Sequence, residues 1–150
     1  MISHPVPQLF PMIPSAQLNA LLIQIHRSLL QYVGEIWPWG SDVAAQATVT
    51  RVVAEEQELT SRLSLLLEQR GHWLEWGVYP TNFTGLHYVS LDYLLKRLTV
   101  LQRETIAAAR SLEKAAVGDV EATALLRNIV ATLERHATEL DRLAAAKRAA

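Results

Sequence analysis

The chain has 150 residues, a net charge of −1, no cysteine, 50% hydrophobic side chains and 19% charged ones. Without cysteine there are no disulfides, thiolate metal sites or cysteine nucleophiles, and near-neutrality gives no general attraction to nucleic acid or anionic lipid. No run approaches twenty apolar residues, so no membrane span is expected, and no basic stretch leads into an apolar core as a secretory signal does, so a cytoplasmic location is expected.

Residues 1–14 contain Pro5, Pro7, Pro11 and Pro14. Proline fixes φ and removes a donor, so this segment is predicted to be an extended arm. Its apolar residues, among them Val6, Leu9 and Phe10, are expected to lie along the rest of the domain or across a neighbouring subunit. The remainder, 15–147, is expected to form one helical domain. A first helix is predicted from Ser15, as N-cap, to about Ile36, with Leu18, Leu22, Ile25, Leu29 and Tyr32 on one stripe. Trp37, Pro38, Trp39 and Gly40 stop it.

A second helix is predicted from Ser41 or Asp42 to Arg70, with Gly71 beyond it. Its inward stripe is Ala45, Val49, Val52, Glu56, Leu59, Leu63 and Leu66, so one inward position is a carboxylate. The stretch 72–85 is too irregular for a helix and, with Trp73, Trp76, Tyr79 and Phe83, too aromatic for a solvated linker. A helix of about 29 residues is roughly 43 Å long, and about 14 extended residues reach roughly 45–50 Å. The stretch can therefore return to the other end of the molecule and let the third helix run parallel to the second.

The third helix is predicted to begin near Thr84 or Leu86 and to end near Ala116, with Leu91, Leu94, Leu98, Leu101 and Thr105 inward. Val117, Gly118 and Asp119 form a turn, with Asp119 as the next N-cap. The fourth helix runs to about Ala146 through Leu126, Ile129, Leu133, His136 and Leu140, and the alanine-rich end is expected to fray. The predicted fold is all-α: a four-helix bundle with one long crossover between helices 2 and 3.

Short connections set helices 1 and 2, and helices 3 and 4, antiparallel with their midpoints level, which places His26, Glu56, Leu101 and Leu133 at mid-height. Polar candidates within a turn of that level are His26, Glu55, Glu56, Glu58, Gln102, Glu104, Glu134 and His136. At 100° per residue Glu56 lies near the centre of its face, Glu55 at its edge, and Glu58 well away. His136 lies about half a right angle from the centre of its face. No Ser-His-Asp arrangement, phosphate loop or nucleotide fingerprint is visible, and the mid-chain histidines His26, His87 and His136 stand singly.

Leu18-Asn19 followed by Gln31-Tyr32, the Arg70-Gly71 helix end, and His136 with Glu139 three residues on resemble the bacterioferritin and rubrerythrin branch of the ferritin-like superfamily. The resemblance covers about 15–145 and implies a di-iron bundle, with a glutamate on helices 1 and 3 and a Glu-x-x-His pair on helices 2 and 4. Carried over by position, the first glutamate falls on Ile25. The second-helix pair falls on Glu55 and Glu58, the fourth-helix pair on Leu133 and His136, and helix 3 offers Glu104 off-centre.

The metal candidates are therefore Glu55, Glu56, Glu58 and His136, a set short of the four carboxylates that two bridged cations require. The expected function is a non-catalytic structural or interaction protein with a degenerate di-iron site, no cofactor, and a homodimeric assembly. The alternative is a metal-binding protein or metal-dependent oxidoreductase that uses iron or another divalent metal on the reduced ligand set.

Overall fold

The computed structural model describes residues 12–36, 43–86 and 89–149, with side chains through Ala146. The arm before Met12, the predicted stop at Trp37–Gly40, the start of the second helix and His87 lie outside the described residues. Among the described residues there are five α-helices: α1 (Ser15–His26), α2 (Leu29–Ile36), α3 (Val43–Gln69), α4 (Leu91–Ala115) and α5 (Val120–Ala149). A short 3-10 helix spans Thr81–Leu86, and there is no strand among the described residues.

The predicted first helix is two helices. At its break Arg27 N–H donates to Ile23 O at 2.8 Å and Ser28 N–H to Ile25 O at 3.4 Å, a contraction of the turn. Ser28 Oγ then accepts from Gln31 N–H at 3.2 Å, which caps and restarts the chain as α2. Ser15 is the first helical residue rather than the cap; Pro14 holds that position with no side-chain bond. α4 starts later than predicted, at Leu91, because Ser90 accepts from Tyr93 N–H. α5 extends to Ala149, past its predicted end near Ala146, with Ala144 buried in the core.

Ion pairs fix the helix directions. Arg103–Asp141, Arg110–Glu134 and Arg127–Glu113 join α4 to α5 in descending register, so those two are antiparallel. Arg70–Asp119, His136–Glu56 and Arg51–Glu139 do the same for α3 and α5. Two helices antiparallel to a third are parallel to each other, so the chain between α3 and α4 crosses the full height.

Its course is visible in its bonds. Asn19 donates to Glu75 O at 2.8 Å and accepts from Glu75 N–H at 3.1 Å. Arg27 Nε donates to the carbonyls of Trp76 and Gly77, and Tyr79 OH donates to Glu35 at 2.8 Å. Tyr32 then packs against the rings of Tyr79 and Phe83. The crossing thus follows α1 and α2 from one end to the other, and the side chains of Asn19 and Arg27 bond the backbone of Glu75, Trp76 and Gly77.

Gly77 sits at the closest approach. Its φ is +68°, and a Cβ there would lie 2.6 Å from Ile23 Cγ2. Gly77→Ala is expected to cost about 2 kcal/mol from the left-handed backbone and the clash with a stiff β-branched neighbour. Gly85→Ala, where nothing lies within 4 Å, should stay within about 0.5 kcal/mol. Urea unfolding of the pair checks the difference.

The buried residues form two clusters. One gathers Leu18, Leu22, Leu63, Leu67, Leu126 and Ile129; the other gathers Leu29, Val33, Val49, Leu91, Leu94 and Leu140. Fully burying each such side chain is worth about 1.5–3 kcal/mol. At mid-height lie buried polar residues: Glu56, Gln102 and His136.

A second polar group closes one end. Asp119, at the start of α5, accepts two bonds of 2.7 Å from Arg70 and others from the N–H groups of Ala122 and Ile13. One carboxylate therefore joins the end of α3, the α4–α5 turn and the segment leading into α1. The Arg70 guanidinium, foremost, holds the Asp119 carboxyl below its ordinary range, and the pair in turn raises Arg70.

Candidate functional site

The mid-height layer is assembled by α3, α4 and α5. Glu56 is 1% exposed and His136 0%. His136 Nδ1 lies 2.8 Å from Glu56 Oε2, and Nε2 lies 2.6 Å from Glu55 Oε2. Both bonds form when both ring nitrogens carry hydrogen. Gln102, 4% exposed, donates its Nε2 to Glu56 Oε2 at 3.0 Å and to Leu133 O at 3.3 Å. On the outer side Arg51 bonds both Glu55 and Glu139. The result is a chain of polar groups running from the surface through His136 to the interior. Its hydrogen bond from His136, before any other cause, lowers the Glu55 pKa.

Of the four sequence-derived metal candidates, the structure brings together Glu55, Glu56 and His136. Glu58 faces outward, where Arg62 bonds it at 3.3 Å, and belongs to no cluster with them. Ile25 and Leu133, at positions where the resemblance implies glutamates, are fully buried among aliphatic neighbours. Glu104 is exposed.

The buried row of α4 is Leu98, Gln102, Thr105 and Ala109. Leu101, predicted central, is only half-buried beside it. Sequence reasoning placed Gln102 at the right height but not on the inner face. The steps of four, three and four along that row carry the signal, which the greater hydrophobicity of Leu101 obscured.

This donor set does not suit a di-iron centre. The two carboxylates approach opposite nitrogens of one ring, so any single point reaches one nitrogen and one carboxylate. Among the described residues no group of three or more His, Asp or Glu side chains could hold a metal ion. Two donors fall short of the ligand count of stable transition-metal sites.

Beside the layer, where α1 breaks into α2, a half-open cavity of about 260 Å³ reaches inward between α4 and the crossing segment. Ile23, Leu29, Phe83, Leu98 and Leu101 form apolar walls, Gln102 lies among its lining, and Arg27 and Glu104 supply the charged groups. Comparison of the chain with protein-family profiles, curated proteins and solved structures finds no match.

Proposed function

We propose that the protein is a ferritin-like four-helix bundle, with α1 and α2 counted as one interrupted helix, that acts as a non-catalytic, homodimeric structural or interaction protein. The observation that carries this reading is the pairing of the charged groups within the polar layer. Glu55, Glu56 and His136 bond one another and Gln102 donates its Nε2 to Glu56, and the neighbouring ligand positions are aliphatic. A buried hydrogen-bonded network of this kind specifies helix register.

The interaction surface in this reading is the crossing segment. Trp73 is 87% exposed and Val78 83%, with Trp76 between them also exposed. Solvent-facing tryptophan is enriched where one protein surface meets another, and a two-fold pairing places each such patch against its copy. Light scattering at tens of micromolar is expected to give a dimer. Trp73→Ser is expected to weaken it at least tenfold. A monomeric wild type removes the assembly reading. Stoichiometric iron, manganese or zinc in untagged protein, lost in Glu56→Ala/His136→Ala, replaces it with the metal-binding one.

A further inference from the structure

We infer that the mid-height cavity is a binding site for a small, neutral, largely apolar molecule that carries one hydrogen-bond donor. Of its uncharged polar lining residues, Gln24 donates to Thr105, Thr105 donates to Leu101 O and Ser28 Oγ accepts from Gln31 N–H, which leaves Gln102 as the polar end of this site. Its Nε2 is committed to Glu56 and Leu133 O, which fixes the amide orientation, since both partners are acceptors. Its amide oxygen accepts no bond among the described residues. Arg70 Nε is the one enclosed side-chain polar atom without a partner among those residues, so the unpartnered Gln102 oxygen is not fully enclosed. Gln102 is among the residues that line this cavity.

A residue 96% buried, held by two bonds and offering a bare acceptor to an apolar chamber, is a preformed recognition group. Gln102 is 4% exposed, so that acceptor meets little bulk water. A donor on the ligand supplies the missing bond. An apolar ligand without one leaves the oxygen desolvated and unpaired, which is unfavourable.

Size narrows the class. An enclosed apolar cavity of about 150 Å³ accommodates benzene, so about 260 Å³ has room for a fused bicyclic ring. Leu29, Leu98 and Phe83 provide the flat apolar contact such a ring needs. Arg27 and Glu104, opposite in sign among the lining residues, give no net preference for a charged ligand.

Indole and 1-benzothiophene are the probes: near-isosteric bicycles, the first with an N–H donor, the second without. Titration into the full-length protein, followed by calorimetry and by amide chemical shifts, is expected to show saturable 1:1 indole binding. Benzothiophene should bind at least tenfold more weakly, with perturbed amides in α4 around Leu98 to Thr105 and near Phe83. Leu101→Trp, which fills the chamber from its half-buried side, should abolish binding of both while the helical circular dichroism is retained. Gln102→Met should equalise the two probes. If that variant does not fold, the wild-type preference and the Leu101→Trp result decide the matter. No saturable indole binding up to millimolar concentration, equal affinities in the wild type, or binding retained by folded Leu101→Trp overturns the proposal.

Discussion

Asp119→Ala is expected to lower the unfolding free energy by about 4 kcal/mol, because it both strands a buried guanidinium and removes a helix cap. Asp119 supplies the carboxylate that Arg70 bonds among the described residues, and the Arg70 Nε is already without a partner there. Asp119→Asn keeps the cap acceptor for Ala122 N–H but not the charge, so its loss should be smaller. Arg70→Leu/Asp119→Ala should recover part of the loss, since the stranded charge is gone. Urea unfolding followed by circular dichroism measures all three; a loss below about 1 kcal/mol for Asp119→Ala removes the claim that this carboxylate closes the molecule.

The same group sets an acid limit. Asp119 has a folded pKa below its unfolded one. Its stabilisation is therefore fully present above the unfolded value of about 3.9 and is lost as pH falls through the lower folded value. Glu55 acts in the same direction, more weakly because its side chain is 41% exposed and screened by solvent. Wild-type stability should thus decline below about pH 4, with a shallower slope over that range in the Asp119→Ala variant.

His136→Leu alone is expected to cost about 3–5 kcal/mol, since it leaves the Glu56 carboxylate buried without its imidazole. Replacing the whole layer in Glu56→Leu/Gln102→Leu/His136→Leu should be far milder, neutral or even stabilising, because no buried polar group is then left unpaired. The contrast between one substitution and three is diagnostic. A triple variant less stable than the single one would show that the layer stabilises through more than mutual satisfaction. Denaturant midpoints of the two proteins at neutral pH give the answer.

These residues also show how far the sequence could be read. Glu56 stood out because a carboxylate interrupted an otherwise aliphatic stripe, and the structure buries it. His136 lay on the same face as Leu133 and Leu140, and the helical period alone carried it inward. The crossing segment was legible from reach: its length and aromatic content suited a full-height path, and its bonds to Asn19, Arg27 and Glu35 follow one. Three features were not legible.

The α1–α2 break contains neither glycine nor proline; it depends on Ser28 turning its hydroxyl to Gln31 N–H, a choice serine also makes at ordinary helix positions. Gln102 was outranked by its leucine neighbour, because periodicity fixes a face only to within a residue or so. The Arg70–Asp119 pair joins residues 49 positions apart. Read locally, Arg70 is only the end of one helix and Asp119 the cap of another. Their meeting depends on how α3 and α5 align, which no local pattern states.

The full-height crossing also orders assembly. α4 and α5 are linked by a turn of a few residues, so zipping them together closes a short loop at small entropic cost. α3 meets α5 through pairs separated by 49 to 88 residues, and such non-local contacts form late. The strap from Gly71 to Phe83 can settle only onto a surface that α1 and α2 have already made. Its bonds are therefore expected to form after the rate-limiting step and to act as a latch, which slows escape from the native state without hastening arrival.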